Sequence, residues 1–173
     1  MNDPFTDLDI NAKAQLSILE ACRKNNRDIR IVFASTRQIY GKPQYLPVDE
    51  KHPLCPVDIN GINKIAGEQY HLLYNQVHEI RSSVLRLTNT YGPRMRIKDA
   101  RQTFLGIWIR NLLEGKLIQV YGDGQQRRDY NYVDDLVDAL IIAATESEAI
   151  GGVYNLGAHD PISLSETAKV MCH

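Results

Sequence analysis

The chain has 173 residues, 43% of them hydrophobic and 24% charged, with a formal net charge of −1. That length closes a real core, and the composition is ordinary for a globular protein. The balanced charge excludes the basic footprint of a nucleic-acid or anionic-membrane binder. The longest apolar stretch, around Leu136–Thr145, is too short to span a bilayer and is broken by Asp138. The first residues are polar and acidic, unlike a signal sequence. Cys22, Cys55 and Cys172 show neither metal-ligand nor disulfide spacing, which suits a reducing, cytoplasmic setting.

Apolar residues at Ile10, Ala14, Ile18, Leu19 and Cys22 recur with a helical period and predict a helix over Asp7–Asn25. Ile29–Ala34 is a short apolar run expected as a buried strand. A proline-rich loop follows, and Asp58 is placed to cap a helix that runs to about Val77. Arg81–Thr88 predicts a second strand and Tyr91–Arg94 a break. Thr103–Glu114 reads as a helix, Leu117–Val120 as a strand, Gly122–Gly124 as a turn and Arg128–Val133 as extended chain. Asp134–Thr145 is expected as a helix and Gly152–Leu156 as a strand. A last helix starts at Ser163, which is spaced from Glu166 as a capping box. Strands alternating with helices predict an α/β fold with parallel strands.

Several segments carry chemistry-bearing residues at fixed spacing. Ala34-Ser35-Thr36-Arg37-Gln38-Ile39-Tyr40-Gly41 leads from the first strand into a turn. Asn60-Gly61-Ile62-Asn63-Lys64 opens the next helix, with residues 60 and 64 on one face. Leu85–Arg94 ends the second strand in Thr-Asn-Thr-Tyr-Gly-Pro-Arg, and Gly122–Asp135 contains Gln-Arg-Arg-Asp-Tyr. Tyr154-Asn155-Leu156-Gly157 closes a late strand. Together these collinear segments resemble the nucleotide-sugar epimerases and dehydratases of the extended short-chain dehydrogenase/reductase family.

The resemblance implies a partial Rossmann-like parallel sheet at residues 1–91. It implies a small substrate-binding part at 92–173, interleaved with a late Rossmann strand. It also implies NAD (or NADP) as cofactor, a nucleotide-diphosphate sugar as substrate, and a homodimer formed through the helices at Asn11–Arg23 and Asn60–Tyr74. Thr36 falls on the family's catalytic Ser/Thr and Lys64 on its lysine. Ser35, Lys64 and Leu87 fall where the cofactor is held, and Asn89 and Arg128 where the nucleotide diphosphate is bound. Gln102 and Thr103 are further candidates for nucleotide contact.

Two departures accompany the resemblance. Asn60 stands where the family has its acid/base tyrosine. A phenol titrates near ~10 and is lowered by a neighbouring ammonium, whereas an amide neither gains nor loses a proton near neutral pH. Three accounts stay open: a catalytically silent descendant, a different base, or a base supplied by substrate and water. Arg37-Gln38 replaces the Asp-Glu pair of the dehydratase branch, which speaks against sugar dehydration. No glycine-rich turn between a strand and a helix is present to hold a dinucleotide pyrophosphate. The chain therefore reads as a fragment that begins after that half. Nucleotide-sugar epimerisation by transient oxidation is the expected activity, and a non-catalytic nucleotide-sugar-binding or structural remnant is the alternative. Five scattered histidines form no metal motif.

Overall fold

A computed structural model describes residues 3–98 and 103–172. The chain divides into two compact units, one of residues 1–88 and 137–156, the other of 89–136 and 157–173.

The first unit starts with a helical stretch in three parts: α1 (Pro4–Leu8), a π-helical turn (Asp9–Lys13) and α2 (Ala14–Asn25). Asp3 caps α1 by accepting the Thr6 N–H at 3.0 Å. Then come β1 (Arg30–Thr36), a 3₁₀ turn (Arg37–Tyr40), α3 (Ile59–His78) and β2 (Arg81–Leu87). Asp58 caps α3 through the Gly61 N–H at 2.7 Å, as its position in the sequence predicts. The unit is completed by the body of α5 (Val133–Thr145) and by β6 (Val153–Leu156).

The three strands form one parallel sheet in the order β1-β2-β6. Parallel strands need cover on both faces. On one face Leu19, Tyr74 and Ile80 form a core with Leu16, Ile29, Ile31 and Tyr70, so α2 and α3 supply the cover. On the other, Leu85, Ala143 and Ala149 pack with Val32, Leu87, Ala139 and Leu140, so α5 supplies it. This α/β/α layering is the expected Rossmann-like class. Gly67 marks a close approach of α3 to β1, because a Cβ there would stand 2.6 Å from Phe33 Cζ.

The second unit holds β3 (Asn89–Tyr91), α4 (Phe104–Leu113), β4 (Arg127–Arg128), β5 (Tyr130–Tyr132), β7 (Ile162–Ser163) and α6 (Leu164–Cys172). β3 pairs with β5 in parallel and β4 with β7 antiparallel. Ser163 and Glu166 make the expected capping box. The Glu166 N–H donates to Ser163 Oγ at 3.1 Å and the Ser163 N–H to Glu166 Oε2 at 2.7 Å.

Leu117–Val120, expected as a strand, is not one. Its carbonyls are taken by side chains of α4: Asn111 Nδ2 donates to Leu117 O at 3.3 Å and Trp108 Nε1 to Gln119 O at 3.2 Å. A segment that satisfies its backbone on a helix has no need of a ladder.

His71 on α3 is fully buried and stacks on Phe33 with ring centroids 4.8 Å apart. Nε2 faces Gln15 Oε1 at 3.3 Å, and Nδ1 has no hydrogen-bond partner among the described residues. This is the arrangement of a neutral ring that donates from Nε2. Burial pushes the ring down to about 4. The unfolded chain therefore binds a proton that the folded chain refuses between pH ~6.5 and ~4. Stability is complete above that window and falls as pH drops through it. Urea unfolding at pH 7.5 and at pH 4.5 measures the effect, with about 3 kcal/mol expected from this group. His71→Phe, which cannot titrate, flattens that slope.

Candidate active site

The C-terminal ends of the parallel strands carry the residues of interest, where open α/β sheets place their ligands. Thr36 ends β1 and lies in register with Leu87 at the end of β2, which in turn pairs with Leu156 of β6. Thr36 Oγ1 accepts the Gln38 N–H at 3.3 Å, so the threonine also starts the 3₁₀ turn. That turn closes at Gly41, whose φ of +63° and proximity to Cys55 O (2.0 Å from an added Cβ) admit only glycine.

Lys64, on the first turns of α3, reaches β1. Its Nζ donates to Ala34 O at 2.8 Å and lies 4.9 Å from the centroid of the Phe33 ring. Burial lowers its pKa, while the charges of Asp7 and Glu68 act in the opposite sense. One of the ammonium's three donors is committed to the strand carbonyl, and the position is only half-buried.

Asn60 is half-buried one turn before Lys64. Its Nδ2 donates to Asp7 Oδ2 at 3.1 Å, and Asn63 Nδ2 donates to Asp7 Oδ1 at 2.7 Å. Nothing in the sequence singled out Asp7, which lies in α1 and is joined to α3 only by the fold.

Ser35 is buried, and its hydroxyl donates to Glu68 Oε1. Glu68 also holds Arg86 of β2, with Nη2 to Oε2 at 2.8 Å and Nε to Oε1 at 3.1 Å. Both side chains are almost wholly enclosed. Arg86 Nη1 donates to the Tyr40 hydroxyl at 2.8 Å and to Glu50 O at 3.2 Å. The Tyr40 hydroxyl donates to Asn155 Oδ1 at 2.6 Å, and Glu50 Oε1 accepts the Asn155 N–H at 2.6 Å. The sequence signal for this network is an arginine between two leucines in a buried strand, since a buried charge needs a partner.

In the second unit, Asn89 opens β3 opposite Tyr130. Its Nδ2 donates to Asp129 O at 3.0 Å, which sets it next in line to Arg128. Arg128 ends β4, half-buried, with Nη1 on the Arg127 carbonyl at 2.9 Å. An apolar cavity of about 460 Å³ lies in the same unit, walled by Tyr91, Met95, Leu105, Ile109, Tyr130 and Val170. Thr103 caps α4 through the Gly106 N–H at 3.2 Å, and Gln102 lies outside the described residues. No group of three His, Cys, Asp or Glu that could hold a metal occurs among the described residues. Among those residues no helix is long and apolar enough to cross a membrane.

Comparison with known proteins gives this geometry a context. Residues 1–157 match the model of the NAD dependent epimerase/dehydratase family. A Methanocaldococcus jannaschii protein provisionally named UDP-glucose 4-epimerase is 37% identical over all of this chain, which covers 55% of that relative. The UDP-glucose 4-epimerase of Mycolicibacterium smegmatis is 30% identical over 91% of this chain and 50% of its own length. Among solved structures, the UDP-glucose 4-epimerase of Thermotoga maritima with UDP-glucose superposes with a TM-score of 0.89 at 28% identity. That match covers 98% of this chain and 54% of that one. The chain spans about half the length of the relatives it matches.

The enclosed ion pair makes a direct prediction. Arg86→Leu leaves Glu68 buried and uncompensated, and costs about 3–5 kcal/mol in chemical denaturation. The double variant Glu68→Leu/Arg86→Leu recovers most of that loss, because neither charge then remains to be paired.

Proposed function

Because the chain belongs to the NAD dependent epimerase/dehydratase family, we propose that it carries the reaction centre of a nucleotide-sugar epimerase. One sugar carbon is oxidised transiently, its hydride leaving to the cofactor and its hydroxyl proton to water or a substrate group, and is then reduced on its opposite face as the proton returns. The observation that supports this most is the pairing of Thr36 with Leu87 at the strand ends, with the Lys64 ammonium anchored at 2.8 Å on Ala34 O, two residues before Thr36 on the same strand. NAD, when bound, supplies the acceptor and return donor of the hydride.

The residues of this chain fit the nicotinamide end of that cofactor. Lys64 has N–H groups left for ribose hydroxyls after its bond to Ala34. Leu87 offers an apolar wall at the end of β2. Ser35, with its hydroxyl on Glu68, contributes through backbone and packing. Thr36 orients the sugar hydroxyl by hydrogen bonding, and Lys64 stabilises negative charge that develops on it. Asn60 orients but does not transfer a proton. Asn89 and Arg128 hold the nucleotide diphosphate, for which a guanidinium has the matching fork of donors.

A second reading has its own support. Asn60 in the tyrosine position suits a protein that binds nucleotide sugars without turning them over. The full-length gene product separates the two when assayed for interconversion of UDP-hexoses with NAD. The epimerase reading expects turnover that Lys64→Ala lowers about a hundredfold. Binding of UDP-hexose with no turnover in the unaltered protein selects the second reading.

We also propose a homodimer formed through α2 and α3. Ile18 on α2 and Ile62, Leu73 and Val77 on α3 are exposed, an apolar surface that a second copy would cover. Light scattering is expected to give twice the chain mass, and Leu73→Glu with Val77→Glu to give a monomer. The three free thiols suit the reducing cytoplasm.

A further inference from the structure

The contact between Asp7 and Asn60 fixes more than a distance. Asp7 sits at the end of α1, half-buried, and takes one side-chain amide on each oxygen: Asn63 on Oδ1 at 2.7 Å and Asn60 on Oδ2 at 3.1 Å. An ionised carboxylate only accepts hydrogen bonds, so both amides must turn their NH₂ groups toward it. The opposite orientation of Asn60 would set Oδ1 against Oδ2, lone pair against lone pair.

The charge state is secured. Burial alone would raise the Asp7 carboxyl, but the amides of Asn63, Asn60 and Asn11 and the charge of Lys64 outweigh it and hold the group below its ordinary value. Asp7 is therefore an anion at neutral pH, and a poor proton acceptor for the same reason. The amide it orients is left with Oδ1 as its one acceptor. Among the described residues that oxygen takes no hydrogen bond from the protein.

We propose that Asp7 is a positioning residue that locks the Asn60 amide so that Oδ1 is offered to a hydroxyl of the sugar substrate. Position 60 then presents an acceptor, as a phenolate would, without the capacity to remove the proton. The role in turnover rests on the epimerase reading of this site, whereas the orientation of the amide does not. A carboxylate that merely stapled α1 to α3 would need only the Asn63 bond.

The test has two arms, both on the full-length gene product. In ¹⁵N–¹H spectra, Asn60→Ala identifies the Asn60 side-chain NH₂ pair. Asp7→Ala is expected to shift that pair together with the one from Asn63. An Asn60 pair unmoved by Asp7→Ala overturns the proposal. In steady-state assays with UDP-hexoses and NAD, Asp7→Ala and the near-isosteric Asp7→Asn lower kcat at least about tenfold, with KM held within about threefold. Asp7→Glu restores part of the loss. Unchanged kcat in variants whose melting temperatures show them folded overturns it as well. An unaltered protein that turns over no nucleotide sugar refutes the epimerase reading and with it the catalytic role of Asp7. The NMR arm still decides whether Asp7 orients Asn60.

Discussion

The Glu68–Arg86 pair is the interaction around which the first unit is arranged. An arginine inside a covered parallel strand is tolerable only with a countercharge and with its remaining donors satisfied. Glu68 supplies the charge from α3, while the Tyr40 hydroxyl and Glu50 O take the other donors. Tyr40 and Glu50 then both hold Asn155 on β6. One buried charge pair thus ties three strands, a helix and the loop that follows the 3₁₀ turn. Replacing both charges by apolar groups can cost little in stability, so what the pair supplies here is placement.

That placement reaches the candidate site through helix geometry. Residues four apart share a face, so fixing Glu68 against β2 fixes the rotation of α3 at Lys64. Gly67 brings the helix onto Phe33, and the lysine meets Ala34 O at 2.8 Å. Ser35 is drawn into the same network, so only its neighbour Thr36 is left to present a hydroxyl at the end of β1. The spacing of Thr36, Lys64 and Glu68 along the chain is therefore one requirement, imposed by a buried carboxylate.

Much of this was legible in the chain itself. Periodicity located α2, and capping chemistry located the starts of α3 and α6 at Asp58 and Ser163, because both signals are local. Leu117–Val120 misled, since a short, mostly apolar segment after a helix looks the same whether it pairs with a strand or lies along that helix. The short pairings β3–β5 and β4–β7 had too few residues to show a period. At the site, Thr36 and Lys64 were named by resemblance to a family motif. Asp7 was not, since its bonds to Asn60 and Asn63 span more than fifty residues and leave no trace in either segment.

The amide at position 60 also bears on the electrostatics of its helix face. A tyrosine beside Lys64 would use the ammonium to lower its own pKa, and the pair would share a titration near the working pH. With an amide there, the charge of Lys64 has no phenol to act on. It is met instead by Asp7 and by Glu68, and Glu68 is already neutralised by Arg86. The face then holds one ion pair, Glu68 with Arg86, the opposite charges of Asp7 and Lys64, and an amide bonded to Asp7. Asp7 is held anionic by donors, and Glu68 is enclosed with its guanidinium. This face can hydrogen-bond a hydroxyl, and neither the Asn60 amide nor the donor-held carboxylate of Asp7 is a ready proton acceptor.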